Sequence, residues 1–286
     1  MALNSIITNV GAQVALSSLN SINSQLAVAQ KQISTGYRVA DATDNGAAYA
    51  IAQRVRSDVG ALNSANQQLG NVQGLLGTTS SALNDISNTL NSARDVLVKL
   101  ADANTTGTQR TQYASQYQAL TAQIRSFISD SSYNSKSLIG DIGGAAINSV
   151  NVVRNESGGT YNIATFSGSA LYNGITFSAQ ITSTTTTAAK SIAALITNGG
   201  SFIKQLNSVA NALNKYGSET NYVNNQISYN SDKMNALSSG LGSLIDANLA
   251  KESAVLQSLQ IQQQLATQSL TVANQAPQSL LKLYGL

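Results

Sequence analysis

Apolar residues recur with a helical period over most of the chain. Leu62, Leu69, Leu76, Leu83, Leu90 and Leu97 stand seven residues apart without a miss, and Ala65, Val72, Thr79, Ile86, Ala93 and Leu100 form a companion row three positions on. Two such rows make one apolar seam along an α-helix, because seven residues close almost two turns. Val55, Ile51 and Ala48 keep the same phase, so the pattern predicts a helix starting near Asp44 and extending on the order of 80 Å. A second seam runs through Phe202, Leu206, Val209, Leu213, Tyr216, Thr220, Val223, Ile227, Asn230, Met234, Leu237, Leu241 and Leu244, in alternating steps of four and three. Seams of matching length can pair as antiparallel helices within one chain. Tyr113, Tyr117, Leu120, Ile124 and Phe127 mark a third helix, after a reversal at Asn104 to Gly107.

Both chain ends carry the same period. Leu3, Ile7, Val10 and Val14, then Leu19, Ile22, Leu26 and Ile33, form one stripe; at the other end Leu249, Leu256, Gln263, Leu270 and Pro277 run beside Glu252, Leu259, Ala266, Ala273 and Leu280. The phase breaks at Ser34 to Gly46 and again between Leu244 and Leu249, which predicts two stacked helical segments joined at a neck. Residues 138–187 change character, with seven glycines among alternating stretches. Ile147 to Val153, Tyr161 to Phe166 and Ile175 to Ile181 read as short strands around a turn at Asn155 to Gly159, followed by the threonines 184–187 as loop or sheet edge. The expected fold class is therefore mainly α: a long antiparallel coiled-coil rod with a small β-rich outer segment.

Composition narrows the chemistry. The 286 residues include no cysteine, histidine or tryptophan and only 10% charged side chains, while roughly 40% are Asn, Gln, Ser and Thr. Ser-His-Asp catalysis, thiolate chemistry and the common metal-ligand sets have no side chains to build them, so neither enzyme activity nor a cofactor or metal is expected. The 16 cationic and 13 acidic residues are spread thinly, without the basic cluster of a nucleic-acid partner. No stretch approaches the ~18 apolar residues of a membrane span, and the first cation is Lys31, so neither membrane insertion nor a cleaved secretory signal is expected.

What charge there is avoids the ends. Met1 to Gln30 contains none, and Ser253 to Leu286 only Lys282. A helix pair with one seam usually carries Glu and Lys on its other faces. Faces of Ser, Asn, Gln, Ala and Thr suit contact with further neighbours, so the ends are expected to be buried in a multi-subunit assembly. Asp41 and Asp44 bracket a helix start, where capping is the natural role for a carboxylate. Gly70, Gly74 and Gly77 lie inside the leucine-repeat helix at ~1 kcal/mol each relative to alanine, which either close approach of a neighbouring helix offsets or local fraying of the helix expresses.

Within Ile33 to Ala52, Ser34, Gly36, Arg38 and Val39, followed by Ala42, Asp44 and Asn45 with Asp41 falling between them, form a motif that resembles the neck segment of the bacterial flagellin family. Asn274, Gln275, Pro277 and Gln278 resemble the closing motif, and the lone proline of the chain falls where that motif has one. The likeness covers about 1–140 and 190–286. It implies a terminal inner-tube domain of 1–43 with 247–286, in which Leu3, Ile7, Val10, Val14, Leu256, Leu259, Leu270 and Leu280 meet other subunits. It implies a three-helix coiled-coil domain of 44–140 with 188–246, and an outward-facing β-hairpin-rich segment at 141–187.

The implied function is that of a structural subunit polymerising into the hollow helical filament of the flagellum. Implied partners are copies of the chain, an export chaperone, the flagellar type III export apparatus, and the filament cap and hook-junction proteins. The implied location is extracellular, after export without a cleaved signal. A junction or cap adaptor of the same appendage is the alternative. The positions that correspond to the family's innate-receptor surface are Ser92, Val96 and Gln116, where an Arg, a Leu and a Glu are usual, so weak receptor stimulation is expected.

Overall fold

A computed structural model describes residues 8–105, 107–140, 142, 149–182 and 186–283. The chain forms two compact units, Met1–Asp58 with Asn235–Leu286, and Val59–Met234.

The second unit is built on the heptads. Helix α2 (Gly46–Ala101) supplies both seam rows, and from Leu62 to Leu100 all twelve positions are buried, the six leucines of the first row completely. Full burial of one such side chain is worth about 1.5–3 kcal/mol, so this row is a large contribution to the unit's cohesion. Helix α3 (Gly107–Asp130) folds back along α2 and buries Ala114, Tyr117, Ile124 and Ile128. Arg110 is 3% exposed and its Nη1 donates to the Leu100 carbonyl at 2.8 Å, placing a cation at the C-terminal end of α2, where the helix dipole favours one.

Strands β1 (Val150–Val153) and β2 (Thr160–Ile163) form an antiparallel hairpin in which Val150 faces Ile163 and Val153 faces Thr160. Three short helices follow: α4 (Gly168–Ile175), α5 (Ser178–Thr182) and α6 (Thr186–Ile196). Ile175 to Ile181 is therefore not a strand. Ile175, Phe177 and Ile181 are all buried, but Ile175 ends α4, Phe177 lies in the link and Ile181 belongs to α5. A bend between two short helices lets residues two apart face the same core, which imitates strand alternation. The first two expected strands shorten to β1 and β2, with residues 147 and 148 outside the described part. Thr186 and Thr187 open α6 rather than filling a loop, while 183–185 lie outside the description.

Helix α7 (Ser201–Ile245) carries the second seam. Phe202, Val209, Tyr216 and Val223 are buried and Leu206, Leu213, Ile227 and Leu237 half-buried. Its register against α2 is antiparallel: Gln73 Nε2 donates to Asn224 Oδ1 at 2.8 Å, and Asn66 lies beside Ile227, Asn230 and Ser231. Asn230, at a seam position, is fully buried. Its Nδ2 donates to Asn66 Oδ1 (2.8 Å) and to the Arg154 carbonyl (2.9 Å) and its Oδ1 accepts from Gln226, so one amide joins α2, α7 and the hairpin turn.

The hairpin has further anchors on α7. Lys233 pairs with Glu156 at 2.5 Å, Tyr161 stacks on Tyr222 with centroids 4.0 Å apart, and the Tyr161 hydroxyl donates to Glu219. Burial and the Glu219 carboxylate push the Tyr161 hydroxyl up to about 12.

The first unit contains α1 (Val10–Thr35), the start of α2, the end of α7, and α8 (Leu249–Leu283). Its compact centre is Val39, Ala48, Ala52 and Ile245. Ile51 is 54% exposed, so the seam does not extend back through it as its phase suggests; Ala48 and Ala52 face inward there instead.

Candidate assembly faces and the neck

Helices α1 and α8 run antiparallel, with Asn9 Nδ2 donating to the Ala273 carbonyl and Gln263 Nε2 to Asn23 Oδ1, both at 2.7 Å. The contact face of α1 is Ala12, Ala15, Leu19, Ile22, Leu26, Ala29 and Ile33; that of α8 is Glu252, Leu256, Leu259, Gln263, Ala266, Leu270 and Ala273. Val10 and Val14 depart from the expected single stripe. They are 43% and 62% exposed and point away from α8, because their spacing from Leu19 places them on another side of the helix. Leu249 is likewise exposed rather than paired. Leu3 and Ile7 lie outside the described residues, and Leu280 is in the α8 backbone span.

With Leu16 and Val28, the N-terminal helix has four large exposed apolar side chains, and α8 has five: Leu249, Val255, Ile261, Leu265 and Val272. Covering each half-exposed side chain is worth about 1 kcal/mol, and the whole set on the order of 10 kcal/mol. Association itself costs about 4–15 kcal/mol, so a single neighbour touching part of this surface gains little and several neighbours together are needed. Charge on the two helices is confined to Lys31, Lys251, Glu252 and Lys282, so little of it opposes that.

The neck is held by both chain directions. Gly36 ends α1 at φ 74°, a left-handed conformation that a glycine adopts without steric conflict, and its N–H donates to the Gln32 carbonyl. Tyr37 then bridges Asp246 in antiparallel fashion, while the Arg38 and Val39 N–H groups both donate to Ile245 O and Ala247 N–H donates to Gly36 O. The Arg38 guanidinium reaches the Leu244 carbonyl, where α7 runs out of intrahelical donors. The guanidinium of Arg56 lies over the Tyr37 ring at 5.6 Å from its centroid.

Lys31 Nζ closes the loop, at 2.7 Å from Asp41 and 2.8 Å from Asp44. Lys31 first and Thr43 second hold the Asp41 carboxyl well below its usual range; Lys31 and the Ala40 N–H lower Asp44; the two carboxylates raise the Lys31 ammonium. The helix cap is neither aspartate. Asn45 Oδ1 accepts from Ala48 N–H at 3.0 Å and starts α2 at Gly46.

Residues 6–143 match the bacterial flagellin N-terminal helical region and residues 180–284 match the bacterial flagellin C-terminal helical region. The chain belongs to the bacterial flagellin family. It is 32% identical to flagellin FljK of Caulobacter vibrioides over 286 residues, covering 99% of this chain and all of that one. Flagellin of Brucella melitensis is 30% identical over 298 residues, with 98% and 99% covered. Among solved structures, one described as a flagellar hook-associated protein from Vibrio parahaemolyticus aligns at a TM-score of 0.55 and 14% identity, over 71% of this chain and all of that one. That likeness concerns the fold alone.

The flagellin motifs can now be placed. Gly36, Arg38, Asp41, Asp44 and Asn45 are all used in the neck: Gly36 and Arg38 against the end of α7, the two aspartates on Lys31, and Asn45 as the cap of α2. Asn274 and Gln275 are exposed on α8, whose helical backbone continues through Pro277 and Gln278 to Leu283. Of the three receptor-equivalent positions, Ser92 and Gln116 are exposed, but Val96 is 2% exposed and packs in the core of the second unit. Sequence reasoning missed Lys31 and Asn9. Lys31 could have been found as the first cation of the chain, ten residues from the Asp41 it pairs with; Asn9 as a capping residue at a helix start. Among the described residues, no Asp/Glu group could hold a metal ion and no helix is long and apolar enough to cross a membrane.

Proposed function

We propose that this chain is a structural subunit of the flagellar filament, assembling with other copies of itself into a hollow helical polymer that transmits motor rotation for swimming. One observation carries the reading beyond family membership: the terminal helix pair is nearly free of charge and exposes large apolar residues on faces its own partner helix does not use. In the filament, 1–43 with 247–286 form the inner tube, 44–140 with 188–246 the surrounding layer, and 141–187 the outward segment. The breaks in helix at the neck support the first boundary. The protein acts mechanically and catalyses no reaction. It leaves the cell unfolded through the flagellar type III apparatus, with an export chaperone, and folds under the filament cap above the hook-junction proteins.

A junction adaptor is the less favoured reading, because flagellin relatives align over almost the whole chain. Electron microscopy of the concentrated purified protein tests this: micrometre filaments are expected, and rings or monomers would refute it. Ser92 and Gln116 present neutral groups and Val96 presents almost no surface, which supports a weak innate-receptor response, measurable with reporter cells.

A further inference from the structure

The single proline of the chain lies within a helix. Proline has no backbone N–H, so at position 277 it cannot donate to the carbonyl four residues earlier, that of Ala273. Yet α8 continues to Leu283. A carbonyl left without its helical donor on a protein surface normally turns to water. Here it accepts a hydrogen bond from the other end of the chain: Asn9 Nδ2 donates to Ala273 O at 2.7 Å, across 264 residues of sequence.

The same side chain starts α1. Asn9 Oδ1 accepts from the Ala12 N–H at 3.0 Å, while the Asn9 carbonyl accepts from Gln13 N–H at 3.1 Å. Because one end of the amide meets an N–H and the other a carbonyl, its orientation is fixed by chemistry. Among the good capping residues, Asp can accept but not donate, and Ser and Thr have one short hydroxyl in place of two separate polar atoms. Asn is the one whose side chain can cap one helix while donating an N–H to another. The helices are also close at this point, since a Cβ added at Gly11 would lie 3.9 Å from Ala273 Cβ.

We propose that Asn9 is a two-ended clamp, which caps α1 and satisfies the backbone carbonyl that Pro277 frees on α8, and so sets the register of the terminal helix pair. Asn9 is thus a positioning residue for the assembly faces. A slip of one residue turns a helix by about 100°, which would carry Val10, Val14, Ile261 and Val272 to other sides of the pair. The clamp is internal to one chain, so it holds independently of polymerisation.

A four-chain cycle tests it: full-length wild type, Asn9→Ser, Pro277→Ala and the double variant. Serine keeps the cap but is too short to clamp; alanine at 277 returns an N–H to the Ala273 carbonyl. The readout is hydrogen–deuterium exchange at residues 10–20 and 265–275, in the polymer where one forms and in the monomer otherwise. Asn9→Ser is expected to speed exchange about tenfold in the wild-type background and less than about threefold with Pro277→Ala, since the carbonyl then has its own donor. Equal acceleration in both backgrounds overturns the clamp and leaves Asn9 a simple cap. Complete exchange of both segments in wild type at the earliest time point also overturns it. Failure of wild type to polymerise would instead count against the filament reading, with the cycle still readable.

Discussion

The two units of this protein use the same helical period to opposite ends. In the second unit every seam position from Leu62 to Leu100 is covered by the chain itself, and its buried polar amide, Asn230, finds partners on three sides. In the first unit α1 and α8 cover one face of each other and leave nine large apolar side chains exposed, with few charges beside them. A seam rich in leucine with polar outer faces completes itself. A seam of alanine and leucine with apolar residues on several sides completes itself only among neighbours. One unit is built to fold and the other to be built upon.

The sharpest way to break this contrast is to damage the self-sufficient side. Leu83→Ala removes a fully buried seam leucine and is expected to lower the stability of the second unit by about 3 kcal/mol, read by denaturant unfolding. A loss below about 1 kcal/mol would mean that the seam is not the source of cohesion. Asn230→Ala comes next. It strips partners from Asn66, Gln226 and the Arg154 carbonyl, and about 2 kcal/mol of stability should go with them, together with the proteolytic resistance of the 154–159 turn.

On the other side, Ile261→Ser should leave unfolding of the second unit unchanged and raise the critical concentration for polymerisation about tenfold, since it removes an exposed side chain that only neighbours can cover. Unchanged polymerisation would place that face outside the assembly contacts.

The smallest effect is expected at the neck. Asp41 and Asp44 are held below the usual carboxylate range, so their contribution is complete above about pH 5 and fades as acid protonates them. Lys31 is raised above its ordinary 10.5, so its part is present below that value and fades only as the pH climbs past it. The difference in melting temperature between wild type and Lys31→Met should therefore be constant from about pH 5 to 9 and shrink towards pH 3. A difference that grows in acid would refute the ion triad as its source.

Much of this was legible in the residues because helical seams are local. A heptad row states its own inner face, and the burial of Leu62 through Leu100 needed no long-range information. The neck motif was legible as a pattern, but the division of labour within it was not. Asp41 and Asp44 read as caps, whereas Asn45 caps α2 and the aspartates hold a lysine from the preceding helix. Ile175 to Ile181 shows the opposite limit, since alternation is ambiguous when a bend between short helices places successive apolar residues on one side.

The glycines of α2 divide in the same way. A Cβ at Gly74 would lie 2.7 Å from the Tyr133 ring, so the approaching group is a tyrosine beyond α3 rather than a neighbouring helix, while Gly70 and Gly77 face open space within the chain.

The order of amino acids by itself determined the helices, their inner faces, the interruptions at the neck and the absence of charge at the ends, because each is set by spacing or side-chain type within a few turns. Only the tertiary structure decided which distant groups meet: Asn66 with Asn230, Lys233 with Glu156, Asn9 with the carbonyl upstream of Pro277. Hydrogen-bond partners depend on ångström-scale positions, and a period in the sequence fixes a face without naming what lies across from it.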